Sequence, residues 1–149
     1  MTPTLIGRWQ TRTFLLATIG IFISFLFSQG YIGNAPGTVY FWVLLYVWGF
    51  GVVWDILYHR LQQYLWDHDW PGVFQFAAAI VEGLFLAGVI RWIGLPGTAD
   101  AAQHLDRFFG HYSLVWLAIY ISSWVLMRLL FPRWRFRGGE WVGRWARTP

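Results

Sequence analysis

Four apolar stretches constrain this chain more than any other feature: residues 13–29, 38–61, 73–93 and 113–131, separated by short breaks. A membrane-spanning helix needs ~17–25 mostly apolar residues, because the hydrocarbon core gives backbone N–H and C=O groups no partners except one another. Each stretch meets that length. The expected fold is an all-α integral membrane protein, one domain over residues 1–149 with four transmembrane helices in a bundle. Composition agrees with this, since hydrophobic residues are 57% of the chain and charged residues 12%, against roughly 25% charged in a soluble domain.

The breaks carry the residues that stop helices. Tyr31 to Gly37 (YIGNAPG) combines Gly, Asn and Pro, and Thr38 is placed to cap the second helix, whose pattern runs on to about Trp66. WDHDWP then turns the chain, with Asp69 as the next cap and Pro71 in the first turn, where its missing N–H costs little. GLPGT ends the third span. Residues 99–109 follow, reading as a short amphipathic helix in the membrane interface, with Thr98 as cap and Ala102, Leu105, Phe108 and Phe109 on its apolar side. Pro132 closes the fourth span. Arg8 and Arg12 before an apolar run also have the shape of a secretory leader; here the run is read as a retained span.

All eleven basic side chains are arginine, and they are distributed unevenly. Nine fall on the N-terminal segment, the second-to-third connection and the C-terminal region, against two, Arg91 and Arg107, on the third-to-fourth side. That bias places both termini in the cytoplasm. From Arg128 onward six arginines and one glutamate give +5, more than the +4 of the whole chain. In this basic aromatic tail, 132–149, Arg133, Trp134, Arg135, Arg137, Trp141, Arg144, Trp145 and Arg147 form a surface suited to anionic headgroups or to an acidic partner subunit.

Several chemistries are excluded by residue type. The absence of cysteine removes disulfides, thiolate metal sites and cysteine nucleophiles, and the absence of lysine removes Schiff-base chemistry. No Gly-rich phosphate loop, Gly-x-Ser-x-Gly or His-Glu-x-x-His is present. No nucleic-acid partner, no cofactor and no catalytic activity are expected.

The ionisable residues inside the spans are the candidate site, since a carboxylate there costs ~2.5–3.5 kcal/mol and must face a partner. Glu82 falls near the midplane and Asp55 ~7.5 Å toward the cytoplasm. Glu82 is expected to be a neutral carboxyl donating a hydrogen bond within the bundle, with Ser122, Ser123 and Tyr120 as the hydroxyls at matching depth. Asp55 and His59, at i and i+4, share a helix face. Either Asp55 orients the His59 imidazole, or Asp67, His68 and Asp69 close over the pair to hold a divalent metal. His104 and His111 lie on the opposite side of the membrane from His59 and His68, so the four do not share one haem, and separate pigment ligation is the weaker alternative. Ala79, Gly83 and Ala87 form a small-residue stripe for close helix packing.

The expected role is an accessory, scaffold or interaction subunit of a membrane assembly, in contact with lipids and with other subunits or itself. The alternative is a small ion or proton transporter or channel using Glu82 and Asp55, and the third reading is a metal- or pigment-binding membrane protein. The tail gives the first test. A peptide of residues 132–149 should bind anionic liposomes and lose most binding when its five arginines from Arg133 to Arg147 become Gln; equal binding to neutral vesicles would leave the indoles as the cause.

Overall fold

The computed structural model describes residues 5–64 and 72–125, which form helices and connecting turns with no strand among them. Helix α1 is Leu5–Ser28 and α2 is Val39–Gln62. Helix α3 is Gly72–Gly88, continued by a wide turn over Val89–Ile93. The short α4, Ala99–Gln103, leads into α5, Leu105–Trp124. Three helices, Leu5–Ser28, Val39–Gln62 and Val73–Ile93, are long and apolar enough to cross a membrane. The end of the fourth apolar stretch, the tail, and the connection holding Asp67, His68 and Asp69 lie outside the described residues.

Two boundaries differ from the expectation. Helix α1 starts at Leu5, so Arg8 and Arg12 are helical residues inside the bundle and not charges flanking a span that begins at Thr13. They sit at i and i+4, on one face, and that face meets acceptors on α2, which removes the need to stay at the headgroups. The amphipathic segment 99–109 is not one helix. At His104 the backbone leaves the helical region (φ −123°, ψ 72°) while its carbonyl accepts from the N–H groups of Arg107 and Phe108, so a new helix begins at Leu105. Leu105, Phe108 and Phe109 thereby join α5, and Phe108 is a core residue at 2% exposure.

Helix α2 is the central element. Its buried positions Tyr40, Val43, Leu44, Gly51, Asp55, Tyr58 and Gln62 recur at three-, four- and seven-residue spacings and form one seam. The upper half of that seam is apolar: Val43 packs with Leu86, Ile90 and Phe108, and Tyr40 and Leu44 with Ile23, Phe27 and Val115. The lower half is polar and meets α1. At the end of α3 the chain turns through Gly94 and Gly97, both at positive φ (75° and 77°), and Gly97 lies so close to Trp42 that an added Cβ would come within 2.6 Å of the indole.

Helix α1 presents polar groups to the bundle at two levels, Arg12 in its first half and Ser24 in its second, which a regular helix would not align. At about 100° per residue, twelve residues leave them ~120° apart. The π-helical turn Leu16–Gly20 accommodates one extra residue, which reduces the offset to about 20°. Within that turn the Thr18 hydroxyl donates to the carbonyl of Phe14 at 2.7 Å, satisfying a backbone acceptor locally. Deleting Thr18 should convert α1 to a regular helix with both faces aligned and leave assembly near wild type. Inserting an alanine after Thr18 should rotate Ser24 away from the bundle and reduce the yield of folded protein in detergent severalfold, read by size-exclusion profile.

Candidate functional site

The lower half of the α2 seam is a place where three helices exchange charge. At Gly51 the helix lacks a side chain and the Arg12 guanidinium lies directly over it, such that a Cβ there would come within 2.7 Å of Cζ. One turn further, Asp55 receives that guanidinium in a fork: Nε donates to Oδ2 at 2.9 Å and Nη2 to Oδ1 at 3.0 Å. From α3, Glu82 takes the opposite edge, with Nη1 donating to Oε2 at 3.3 Å and Nη2 to Oε1 at 3.5 Å. One arginine therefore uses three nitrogens on four carboxylate oxygens and ties α1 to α2 and α3. The cluster is withdrawn from its surroundings, with side-chain exposures of 17% for Arg12, 2% for Asp55 and 12% for Glu82.

Neighbouring contacts hold this clamp in place. Arg8, one turn before Arg12, donates through Nη2 to Oε1 of Gln62, two turns beyond Asp55. The Trp9 indole donates to the carbonyl of Val52 at 3.2 Å, and the Trp48 indole to the Thr13 hydroxyl at 2.9 Å. Antiparallel packing explains the order: residues rising along α1 meet residues falling along α2. The Tyr58 hydroxyl interacts with Glu82 from α2. On the far side, Tyr112 of α5 lies against Gly83, where a Cβ would come within 2.7 Å of its ring, and its hydroxyl donates to the carbonyl of Ala79 at 2.8 Å. The small residues Ala79 and Gly83 admit that ring, while Ala87, one turn on, is in the core.

The sequence-predicted residues are distributed differently from the expectation. Glu82 accepts from Arg12 instead of donating to a hydroxyl. Ser122 and Ser123 do not meet it: the Ser123 hydroxyl donates to the carbonyl of Tyr120 on its own helix at 2.8 Å, and Tyr120 stacks on Trp116 with centroids 4.9 Å apart. The cause is register. Because α5 starts at Leu105, the tyrosine level with Glu82 is Tyr112 and not a residue near the middle of 113–131. Asp55 does not orient His59 either: both of its oxygens accept from Arg12, and His59 Nδ1 is buried with no hydrogen-bond partner among the described residues. Among the described residues no group of three His, Cys, Asp or Glu is placed to hold a metal ion. Asp67, His68 and Asp69, and the tail from Arg133 to Arg147, lie outside the described residues.

The remaining histidines occupy separate surroundings. His111 is 1% exposed, with Nε2 2.9 Å from the Ser24 hydroxyl and its ring in a triangle with those of Phe27 and Tyr40, every pair of centroids 5.1 Å apart. His104 sits at the surface with Nδ1 3.2 Å from Asp100. Arg12, the residues around it (Arg8, Gly51, Tyr58, Gln62 and Tyr112), and Ser24 further along α1 are site residues that sequence reasoning missed. For Arg12 a signal was present: arginines four apart at positions 8 and 12 match acceptors seven apart at 55 and 62 once the two helices run antiparallel.

A charge withdrawn from water is costly unless paired, and removing one partner of a buried pair costs about 3–5 kcal/mol because the other charge is left uncompensated. Asp55→Ala should therefore destabilise the bundle by about that amount in reversible unfolding in mixed micelles. Replacing the whole clamp, Arg12→Met with Asp55→Leu and Glu82→Gln, should recover most of the loss; an equal loss in the triple variant would show that the packing, not the charge, is what Asp55 contributes. Comparison with family models, with curated proteins and with solved structures finds no match to this chain, so the reading of the site rests on its own geometry.

Proposed function

We propose that this chain is a four-span membrane protein with both termini cytoplasmic, serving as an accessory, scaffold or interaction subunit and carrying no catalytic site of its own. The observation behind this reading is the clamp. The two intramembrane carboxylates that an ion or proton path would use are joined to a single guanidinium, an arrangement that fixes three helices relative to one another. A scaffold needs that rigidity, whereas a transported ion needs acceptors that release.

The outer surface supports the same reading. Large apolar side chains are exposed on α1, α2, α3 and the turn that continues α3, among them Phe22 and Val53 at 63% exposure, Leu84 at 60% and Trp92 at 86%. Such a surface suits lipid tails and neighbouring membrane subunits, or a second copy of the chain. The run of apolar residues 113–131 has the length of a fourth span, and the arginine asymmetry of the sequence supports a cytoplasmic side for the basic aromatic segment that follows it.

Extraction in a mild detergent tests the assignment. The expected result is a stoichiometric set of membrane partners copurifying with the chain, and no ion or proton flux from the purified protein in proteoliposomes. A homogeneous small oligomer whose flux is abolished by Glu82→Gln would overturn the scaffold reading in favour of transport.

A further inference from the structure

The clamp has a second consequence, which concerns the order in which the bundle forms. Helix α1 carries two arginines on its bundle-facing side, Arg8 at 3% exposure and Arg12 bound to Asp55 and Glu82. Its first half, LIGRWQTRTFL, also holds a glutamine and two threonines, so it is the least apolar part of the three long helices. Its acceptors lie far along the chain: Asp55 is 43 residues after Arg12, Gln62 is 54 after Arg8, and Glu82 is 70 after Arg12. Helix α1 is therefore synthesised first and receives its charge partners last. Arg8 and Arg12 against Asp55 and Glu82 make the four groups formally neutral together, with the two positive groups on α1 and the two negative ones on α2 and α3.

We propose that α1 is a conditional span, which settles across the bilayer only when α2 and α3 present Asp55 and Glu82, so that the charge cluster acts as an assembly checkpoint. An isolated α1 holds two guanidiniums in its first half, and without acceptors they are drawn toward the headgroups with the chain around them. Pairing with the two carboxylates removes that obstacle. The Gln62 amide and the Trp9 and Trp48 indoles then hold the docked helix in register. Gly51 belongs to the same device, because only a residue without a side chain lets the Arg12 guanidinium cross the surface of α2 to reach Glu82.

The chain has no cysteine, so thiols introduced one at a time report topology without background. In full-length protein in native membranes, Thr2→Cys and Asn34→Cys are labelled from each face with a membrane-impermeant maleimide. Helix α1 spans when the two positions react from opposite faces, which is the result expected in the otherwise unchanged chain. Adding Asp55→Asn and Glu82→Gln is expected to bring both thiols to the same face in most molecules. Adding Arg8→Gln and Arg12→Gln to that variant is expected to restore opposite-face labelling, because the helix then has no charge to satisfy. Opposite-face labelling that persists without the two carboxylates overturns the proposal. So does same-face labelling that persists after the arginines are removed, since it would show general collapse of the bundle instead of a charge requirement.

Discussion

The structure depends on one requirement of electrostatics in a medium with little water: a guanidinium withdrawn into the bundle must meet carboxylates there. Arg12 meets two, on different helices, and the geometry of three helices follows from that meeting. Its fork on Asp55 sets the depth of α1 against α2, and its second edge on Glu82 draws α3 to the same point. Coulomb attraction alone would be indifferent to rotation. The planar fork is not, since three nitrogens reach four oxygens only in a narrow range of helix positions.

Smaller features are explained by this demand. Gly51 clears the path of the guanidinium, and Gly83 clears space for Tyr112 beside Glu82. The π-helical turn in α1 lets the helix serve the polar clamp near its start and the Ser24–His111 contact further on, from the same face. The apolar clusters of Val43, Leu86 and Phe108, and of Leu16, Leu44 and Val115, fill the other half of the bundle and supply packing without direction. Direction comes from the polar contacts, where a one-residue slip leaves a buried charge without its partner.

A clamp of this kind also limits what the intramembrane carboxylates can do. A proton or ion site exchanges its ligand, while Asp55 and Glu82 share a cation that belongs to the chain. The proposed role as a rigid subunit with an apolar outer surface agrees with that chemistry, and the dependence of α1 on its distant partners ties the same contacts to assembly.

The sequence by itself determined that the chain is helical and suited to a membrane, because runs of ~20 apolar residues leave the backbone no alternative to internal hydrogen bonding. It also determined that Asp55 and Glu82 need partners, because depth and charge are both legible from position. It did not identify the partners. Arg12 reads as a flanking charge in one dimension, since nothing local distinguishes an arginine at the headgroups from one turned inward toward an acceptor 43 residues away. The start of α5 was hidden for a similar reason: Leu105 to Phe109 have the pattern of an interfacial helix, and only packing against α2 and α3 makes Phe108 a core residue and places Tyr112, not Ser122, beside Glu82. Tertiary structure decided these points because pairing and register are properties of two surfaces together, and a single helix contains only half of the information.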